Sequence, residues 1–298
     1  MIFTVNTSKI EAQWQYVGDP VIYCITLSFS FTSDGSTPYI AYNTENNFSV
    51  IVSKFDGTSW VNVGGIPNDM PLENEYLTFD GSTPYICYNR IFYNIDSISY
   101  HWETKVMKYD GINWIYVGPS CDSTTPGYHN YHDLLVIDHI PYIAFSEEAN
   151  SSKTIVKKFN GTNWEYVGSS DISPMNTSFQ KLAYDGSNLF VAYSDMTSGV
   201  SVKKYDGSNW VNVGTPGFSA GLAKYLSLVI INGTPYIAYQ DEANGFKTTV
   251  MKFNSIEWVN VGLPGFSSGV AKYQTLSFSD SIPILSYLDI ANGGMSVM

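Results

Sequence analysis

The stretch that decides the fold lies between residues 235 and 262: Pro235-Tyr236-Ile237-Ala238-Tyr239, then Lys252-Phe253-Asn254, then Trp258-Val259-Asn260-Val261-Gly262. The same phrases recur in the same order along the chain. The phrase Trp-x-x-Val-Gly begins at Trp14, Trp60, Trp114, Trp164, Trp210 and Trp258. A fixed interval of about 50 residues is typical of repeat architectures. The 298-residue chain is therefore one unit written about six times.

Each unit predicts four short antiparallel strands, called A to D from the innermost outward. Strand A is small and apolar, as in residues 76–79 and 225–229, strand B is Pro-Tyr-Ile-Ala-Tyr, strand C ends in Lys-aromatic, and strand D is Trp-x-x-Val. β-Branched and aromatic residues dominate these runs, as expected of strands. The Asp-Gly and Asn-Gly pairs between strands C and D favour tight hairpins, because both residues tolerate positive φ.

Six such units predict an all-β fold: a six-bladed β-propeller with four antiparallel strands per blade, formed by residues 1–298 as a single domain. The last unit stops at residues 294–298, which correspond to a strand C, whereas the chain starts with a lone strand D at Trp14. The N-terminal strand is therefore expected to complete the last blade and to close the ring, which leaves no free sheet edge.

The three phrases resemble those of a group of bacterial secreted and cell-surface repeat proteins with six-bladed propellers. Residues 55–60, Phe-Asp-Gly-Thr-Ser-Trp, are also similar to the Asp-box of sialidases, although no residue separates the aspartate from the glycine. The likeness to lectin-like and sialidase-like propellers concerns shape only. It implies an extracellular or cell-surface location, although the first residues lack the pattern of a secretory signal peptide.

Charge limits the possible partners. The sequence holds 27 acidic and 15 basic residues, a net charge of -12, and Arg90 is its one arginine. This balance argues against nucleic acid, and no apolar run is long enough for membrane insertion. The resemblance to sialidases would imply several arginines that hold the carboxylate of the substrate. This chain lacks them, since it has one arginine. A monomer that binds neutral glycans or a protein surface is expected, because acidic surfaces repel anions.

Two phrases recur in the long B–C and D–A loops, which share one face of a propeller, here called the long-loop face. Pro-Gly-aromatic ends at 128, 218 and 266, and acid-x-Ala-Asn begins at 147, 241 and 289. Aromatic rings could stack on sugars while carboxylates and amides bind hydroxyls. The candidate ligand-binding residues are Tyr128, Phe218, Phe266, Glu147, Asp241, Asn244, Asp289 and Asn292.

Other interpretations stay open. The same phrases could form turns whose Asp and Asn side chains bind their own backbone and whose aromatic rings pack between blades. The protein could be a polysaccharide hydrolase or lyase that uses acids in the central funnel. It could also be a purely structural or protein-interaction scaffold, which would need no sugar site and no catalytic acid. No catalytic residue, metal ligand or cofactor is assigned. Ca²⁺ is a weaker alternative, since no loop has the residue spacing of a calcium site. The residues His129, His132 and Cys121 suit a solvated loop better than a zinc site.

Overall fold

The computed structural model describes residues 29–44, 49–64, 66, 71–94, 99–121, 132–147, 150–174, 176–279 and 282–298. In this part of the chain 23 β-strands form six antiparallel sheets. In chain order the sheets are β1 (Phe29–Ser33), β2 (Pro38–Thr44), β3 (Ser49–Phe55), β4 (Trp60–Asn62); β5 (Pro71–Asp80), β6 (Thr83–Asn94), β7 (Ser99–Tyr109), β8 (Trp114–Tyr116); β9 (His132–Ile137), β10 (Ile140–Glu147), β11 (Lys153–Phe159), β12 (Trp164–Tyr166); β13 (Thr177–Tyr184), β14 (Leu189–Asp195), β15 (Gly199–Tyr205), β16 (Trp210–Asn212); β17 (Ala223–Ile231), β18 (Thr234–Asp241), β19 (Lys247–Phe253), β20 (Trp258–Asn260); and β21 (Ala271–Ser279), β22 (Ile282–Asp289), β23 (Gly294–Val297).

The sheets are the blades of a propeller. Within each sheet the strands follow chain order, and each strand A contacts the strand A of the next sheet, from β1 through β5, β9, β13 and β17 to β21. These six strands are the innermost and surround the axis. The fold predicted from the repeats, an all-β six-bladed propeller, is confirmed.

The sixth blade has three strands among the described residues, because β23 pairs with β22 and nothing described pairs with its other edge. The strand expected to complete this blade lies around Trp14. That segment, and with it the predicted closure of the ring, lies outside the described residues.

Strand B is buried because neighbouring blades cover both of its faces. Its central small residue is fully buried in five blades, at Ala41, Cys87, Ala144, Ala192 and Ala238, each 0% exposed. A larger side chain there would hold adjacent sheets apart. Cys87 fills the alanine position as a small buried side chain, as expected, and burial raises the pKa of its thiol well above the usual value.

The C–D hairpins close as their sequences predict. A side-chain oxygen of Asp110 accepts hydrogen bonds from the backbone N–H groups of Ile112 and Asn113, at 2.9 and 2.7 Å. Gly111 has a φ of 101°, which only glycine adopts without strain. Asp56, Asn160, Asp206 and Asn254 hold their hairpins in the same way.

In the second, fourth and fifth blades the tryptophan of strand D connects the blade to the preceding one. The indole N–H of Trp114 donates to the carbonyl of Val63, that of Trp210 to Val167, and that of Trp258 to Val213, at 2.6, 2.7 and 2.7 Å. The tryptophan and the valine of the repeated phrase are therefore the two partners of one contact between blades.

The glycine that ends the phrase allows the next blade to approach closely. A Cβ added to Gly214 would lie 2.9 Å from the Phe253 ring and 3.0 Å from Trp258, and its φ is 75°. The Phe253 ring packs against Trp258 of its own blade, with centroids 5.8 Å apart. The Lys-aromatic phrase thus supplies the ring that occupies the space left by this glycine.

Candidate functional site

The predicted acidic loop residues lie at the ends of the B strands, where they organise the following turns. Asp289 is 1% exposed, and its Oδ1 accepts hydrogen bonds from the backbone N–H groups of Ala291 and Asn292. Its Oδ2 accepts from Ser268 Oγ and Asn292 Nδ2, both at 2.8 Å. These bonds, the one from Ser268 first, lower the pKa of the carboxyl group.

Asp241 stands in the equivalent position of the fifth blade, before the single-turn 3-10 helix Glu242–Asn244. It is 1% exposed, and its Oδ2 accepts from Thr249 Oγ1 at 2.7 Å and from Asn244 Nδ2 at 2.8 Å. In the third blade Glu147 is 3% exposed and bonds Lys157 Nζ at 3.0 Å and the Tyr166 hydroxyl at 2.8 Å. All these acids serve contacts within the protein.

The predicted stacking aromatics pack against their neighbours. The Phe218 ring lies parallel to Trp258, with centroids 4.2 Å apart and planes 10° apart. Phe266 packs on the buried cluster between the fifth and sixth blades. Tyr128 lies outside the described residues. These contacts are those expected of the turn-and-packing alternative, and the ligand-binding role of these residues stays a prediction.

Aromatic residues on the innermost strands form a second arrangement, which the sequence analysis missed. Phe179, Tyr225 and Tyr273 are each the third residue of an innermost strand, β13, β17 and β21. Their rings follow one another around the axis, with centroids 5.1 Å apart between Phe179 and Tyr225 and 4.7 Å apart between Tyr225 and Tyr273. We call these three residues the aromatic ladder.

The ladder residues have unusual backbone geometry. Their φ angles are 56°, 52° and 56°, and each lies where the pairing of strands A and B shifts register at a β-bulge. Bulky residues rarely adopt positive φ, which costs about 1–3 kcal/mol each. Such strain recurs at functional sites, and here it recurs in three consecutive blades.

The ladder lies near the long-loop face, because the innermost strands begin at the D–A loops and the ladder residues stand close to those starts. Exposure increases along the ladder: Phe179 is 8% exposed, Tyr225 is half-buried and Tyr273 is 54% exposed. The ring of Tyr273 is thus open to a ligand at this end of the channel.

A charged cluster occupies the innermost strands of the neighbouring blades. Asp133 on β9 bonds Lys181 Nζ on β13 at 2.9 Å, and Lys181 Nζ stands 4.5 Å from the centre of the Tyr76 ring on β5. The charge of Asp133, burial and the hydrogen bond to Asp133 together raise the pKa of the Tyr76 hydroxyl well above its usual value. The innermost strands therefore carry a charged cluster in blades two to four and a row of aromatic rings in blades four to six.

The single arginine is engaged elsewhere. Arg90 forms two bonds to Glu103 Oε2, from Nε at 2.8 Å and from an η nitrogen at 2.7 Å. Within the described ranges no group of three His, Cys, Asp or Glu side chains is placed to hold a metal ion. No helix in that part of the chain is long and apolar enough to cross a membrane.

Sheet order and blade contacts together define this chain as a six-bladed β-propeller. No protein-family model matches it. No curated protein matches it. Among solved structures it resembles YjhT at 12% identity, covering 92% of this chain and 97% of that one, with a TM-score of 0.55.

Two further structures share the fold. A Trypanosoma rangeli sialidase, in complex with 2,3-difluorosialic acid, is 13% identical over 92% of this chain and 54% of that one, with a TM-score of 0.59. The chain thus spans about half the length of the sialidase. A triple arginine-to-alanine mutant of AofleA from Arthrobotrys oligospora is 10% identical over 91% of this chain and 82% of that one, with a TM-score of 0.60. At these identities the likeness shows the fold alone.

Proposed function

We propose that this protein is a non-catalytic, lectin-like propeller that binds neutral carbohydrate at the end of its central channel on the long-loop face. The aromatic ladder carries the proposal. Three rings with strained backbone contact one another on consecutive innermost strands: Phe179 is buried, Tyr225 is half-buried, and Tyr273 is exposed at the end of the row. Aromatic rings bring large apolar faces to binding sites, while a few polar groups fix the orientation of the ligand.

Charge favours a neutral ligand. The chain carries a net charge of -12, and its single arginine is bound to Glu103. A ligand rich in carboxylate or sulfate would meet repulsion as it approached. The sialidase neighbour in complex with sialic acid supports a role connected with carbohydrate, whereas the charge of this chain argues for a different kind of sugar.

A non-catalytic role fits the state of the described carboxylate beside the ladder. Asp133 accepts hydrogen bonds from Lys181 and from the backbone N–H of Leu182, at 2.9 and 2.7 Å, and it is 2% exposed. The burial and the two bonds favour a structural role for this acid over a role as nucleophile or general base. The two carboxyl groups of a glycosidase must also approach the scissile bond, which a buried, ion-paired acid does not do.

A glycan array followed by calorimetry with neutral tetrasaccharides tests the proposal. We expect binding at micromolar to millimolar concentration, at one site per chain, and without release of shorter sugars. Tyr273→Gly should weaken binding by about tenfold, since one stacked ring contributes roughly 1–1.5 kcal/mol. Tyr184→Ala is the control, because Tyr184 ends another innermost strand, β13, at the opposite face. Absence of any sugar binding, or cleavage of the bound sugar, would refute the proposal.

A further inference from the structure

A salt bridge stands beside the aromatic ladder. Lys181 follows Phe179 by two residues on β13, directly after the register shift that contains Phe179. Both lie on an innermost strand, and the Lys181 side chain is 27% exposed. A ligand stacked on Tyr273 would meet this ammonium group if it extended past Tyr225 and Phe179 to β13.

The partner of Lys181 is fixed. The side chain of Asp133 is 3% exposed, and its two oxygens accept separately, Oδ1 from Lys181 Nζ and Oδ2 from the backbone N–H of Leu182. The two bonds join the third blade to the fourth. This carboxylate cannot turn away without leaving a buried N–H unpaired, which would be costly.

The ammonium group retains donors. An ammonium has three N–H bonds. Among the described residues Asp133 accepts from one of them, and the Tyr76 ring lies 4.5 Å from the nitrogen. The pair therefore offers N–H donors while its net charge is zero. An ion pair with free N–H donors can bind a hydroxyl or ether oxygen, and because its net charge is zero it exerts little long-range attraction on an anion.

We infer that the Lys181–Asp133 pair makes the channel site select uncharged over anionic sugars, which rests on the proposed function of that site. Lys181 donates hydrogen bonds to sugar oxygens, and Asp133 cancels the charge that would otherwise attract a carboxylate. Asp133 is a positioning residue that acts through Lys181. Removing its charge should turn the same lysine into an anion-binding group.

The test compares two probes, cellotetraose as the neutral sugar and tetragalacturonate as the anionic one. Calorimetry is carried out at low and at physiological salt with the wild-type chain, Asp133→Asn and Lys181→Met. The matched control is Asp185→Asn, which changes the net charge equally in the hairpin at the other end of β13, where Asp185 accepts from Ser187 and Asn188. Asparagine can still accept the bond from Leu182, so Asp133→Asn is expected to fold.

The wild-type chain should bind cellotetraose in preference to tetragalacturonate. Asp133→Asn should bind tetragalacturonate about tenfold more tightly than Asp185→Asn does, and salt should reduce this gain through screening. Lys181→Met should weaken cellotetraose binding about fivefold and give no gain for tetragalacturonate, because a hydrogen bond to a charged donor is lost. Circular dichroism confirms that each variant is folded.

The outcomes distinguish failure of the proposed function from failure of the inference about the Lys181–Asp133 pair. If the wild-type chain binds no neutral sugar, the proposed function fails. If it binds cellotetraose but Asp133→Asn gains no more than Asp185→Asn for tetragalacturonate, the inference fails and the function stands. If Asp133→Asn does not fold, Lys181→Met decides, and unchanged cellotetraose affinity in that variant would overturn the inference.

Discussion

The indole Nε1 of Trp210 lies 2.7 Å from the carbonyl oxygen of Val167 in the preceding blade and donates a hydrogen bond to it. Both residues are buried, Trp210 at 9% and Val167 at 5% exposure. A hydrogen bond that is shielded from water is costly to remove, because its acceptor is left unpaired. The bond therefore contributes to holding neighbouring blades together.

Replacing this donor should destabilise the propeller. Trp210→Phe keeps most of the ring but removes the N–H group, so we expect the free energy of unfolding to fall by about 1–3 kcal/mol. Trp210→Ala should cost about 3–5 kcal/mol. Urea unfolding measures both. The graded control is Trp164→Phe, since the Trp164 bond to Pro119 is longer, at 3.2 Å, and exposed. An equal effect at the two positions would contradict this account.

The glycine after the valine should be sensitive to any side chain. Gly214→Ala would place a methyl group 2.9 Å from Phe253 at a φ of 75°, so we expect a loss of about 2–4 kcal/mol. Gly207 has a φ of 98° but nothing within 4 Å of an added Cβ. Gly207→Ala should therefore cost only the backbone strain, about 1 kcal/mol. Thermal unfolding distinguishes the two, and similar losses would show that the close approach is unimportant.

Replacing Tyr273 of the aromatic ladder should weaken binding without lowering stability. Tyr273 is 54% exposed and has a φ of 56°, so Tyr273→Gly removes strain and little buried surface. We expect its free energy of unfolding to be unchanged or to rise by up to about 1 kcal/mol, while sugar binding weakens. Urea unfolding beside calorimetry tests this. A loss of stability comparable with Trp210→Ala would instead make the ladder a structural element.

The hairpin aspartates should make stability depend on acidic pH. Hydrogen bonds from backbone N–H groups lower the pKa of Asp56, Asp110 and Asp206 below the ordinary value of 3.8. For Asp110 the largest contribution comes from Asn113 and the next from Ile112. Because the folded-state pKa is depressed, this stabilisation is present above that value and is lost as the pH falls through the folded pKa. The triple variant D56N/D110N/D206N copies the asparagine that two other hairpins already use. Its melting temperature should fall less than that of the wild-type chain between about pH 5 and about pH 2.5.

The N-terminal segment provides a test of the predicted ring closure. Trp14 carries the same phrase as Trp210 and is expected to complete the sixth blade. Trp14→Ala should then destabilise the whole chain by about 3–5 kcal/mol, as expected for Trp210→Ala. Urea unfolding gives the comparison, and a neutral Trp14→Ala would refute closure by this strand.

The fold could be predicted because the repeated phrases correspond to contacts that recur from blade to blade. Trp-x-x-Val-Gly supplies the indole donor, the carbonyl acceptor and the space for the next ring. The spacing of these phrases alone gave the number and order of strands. Cys87 could also be placed, since only a small side chain fits the buried alanine position.

The site was harder to predict for a physical reason. Positive φ at Phe179, Tyr225 and Tyr273 arises from bulges in strand pairing, and no glycine marks them in the sequence. The one local indication is the recurrence of Ala-Lys-Tyr at 223–225 and 271–273. Loop position was informative for Asp241 and Asp289, but sequence does not show whether a carboxylate turns toward solvent or toward its own backbone.

The contact from tryptophan to valine has a consequence for how such a chain can change in length. Three junctions between described blades share the same tryptophan-to-valine bond, so inserting or deleting one whole unit at any of them would leave the same bond on either side. The number of blades would then be limited by the angle between adjacent blades that a closed ring requires. A gene encoding this protein could change in length by duplication of one unit of about 50 residues at a time.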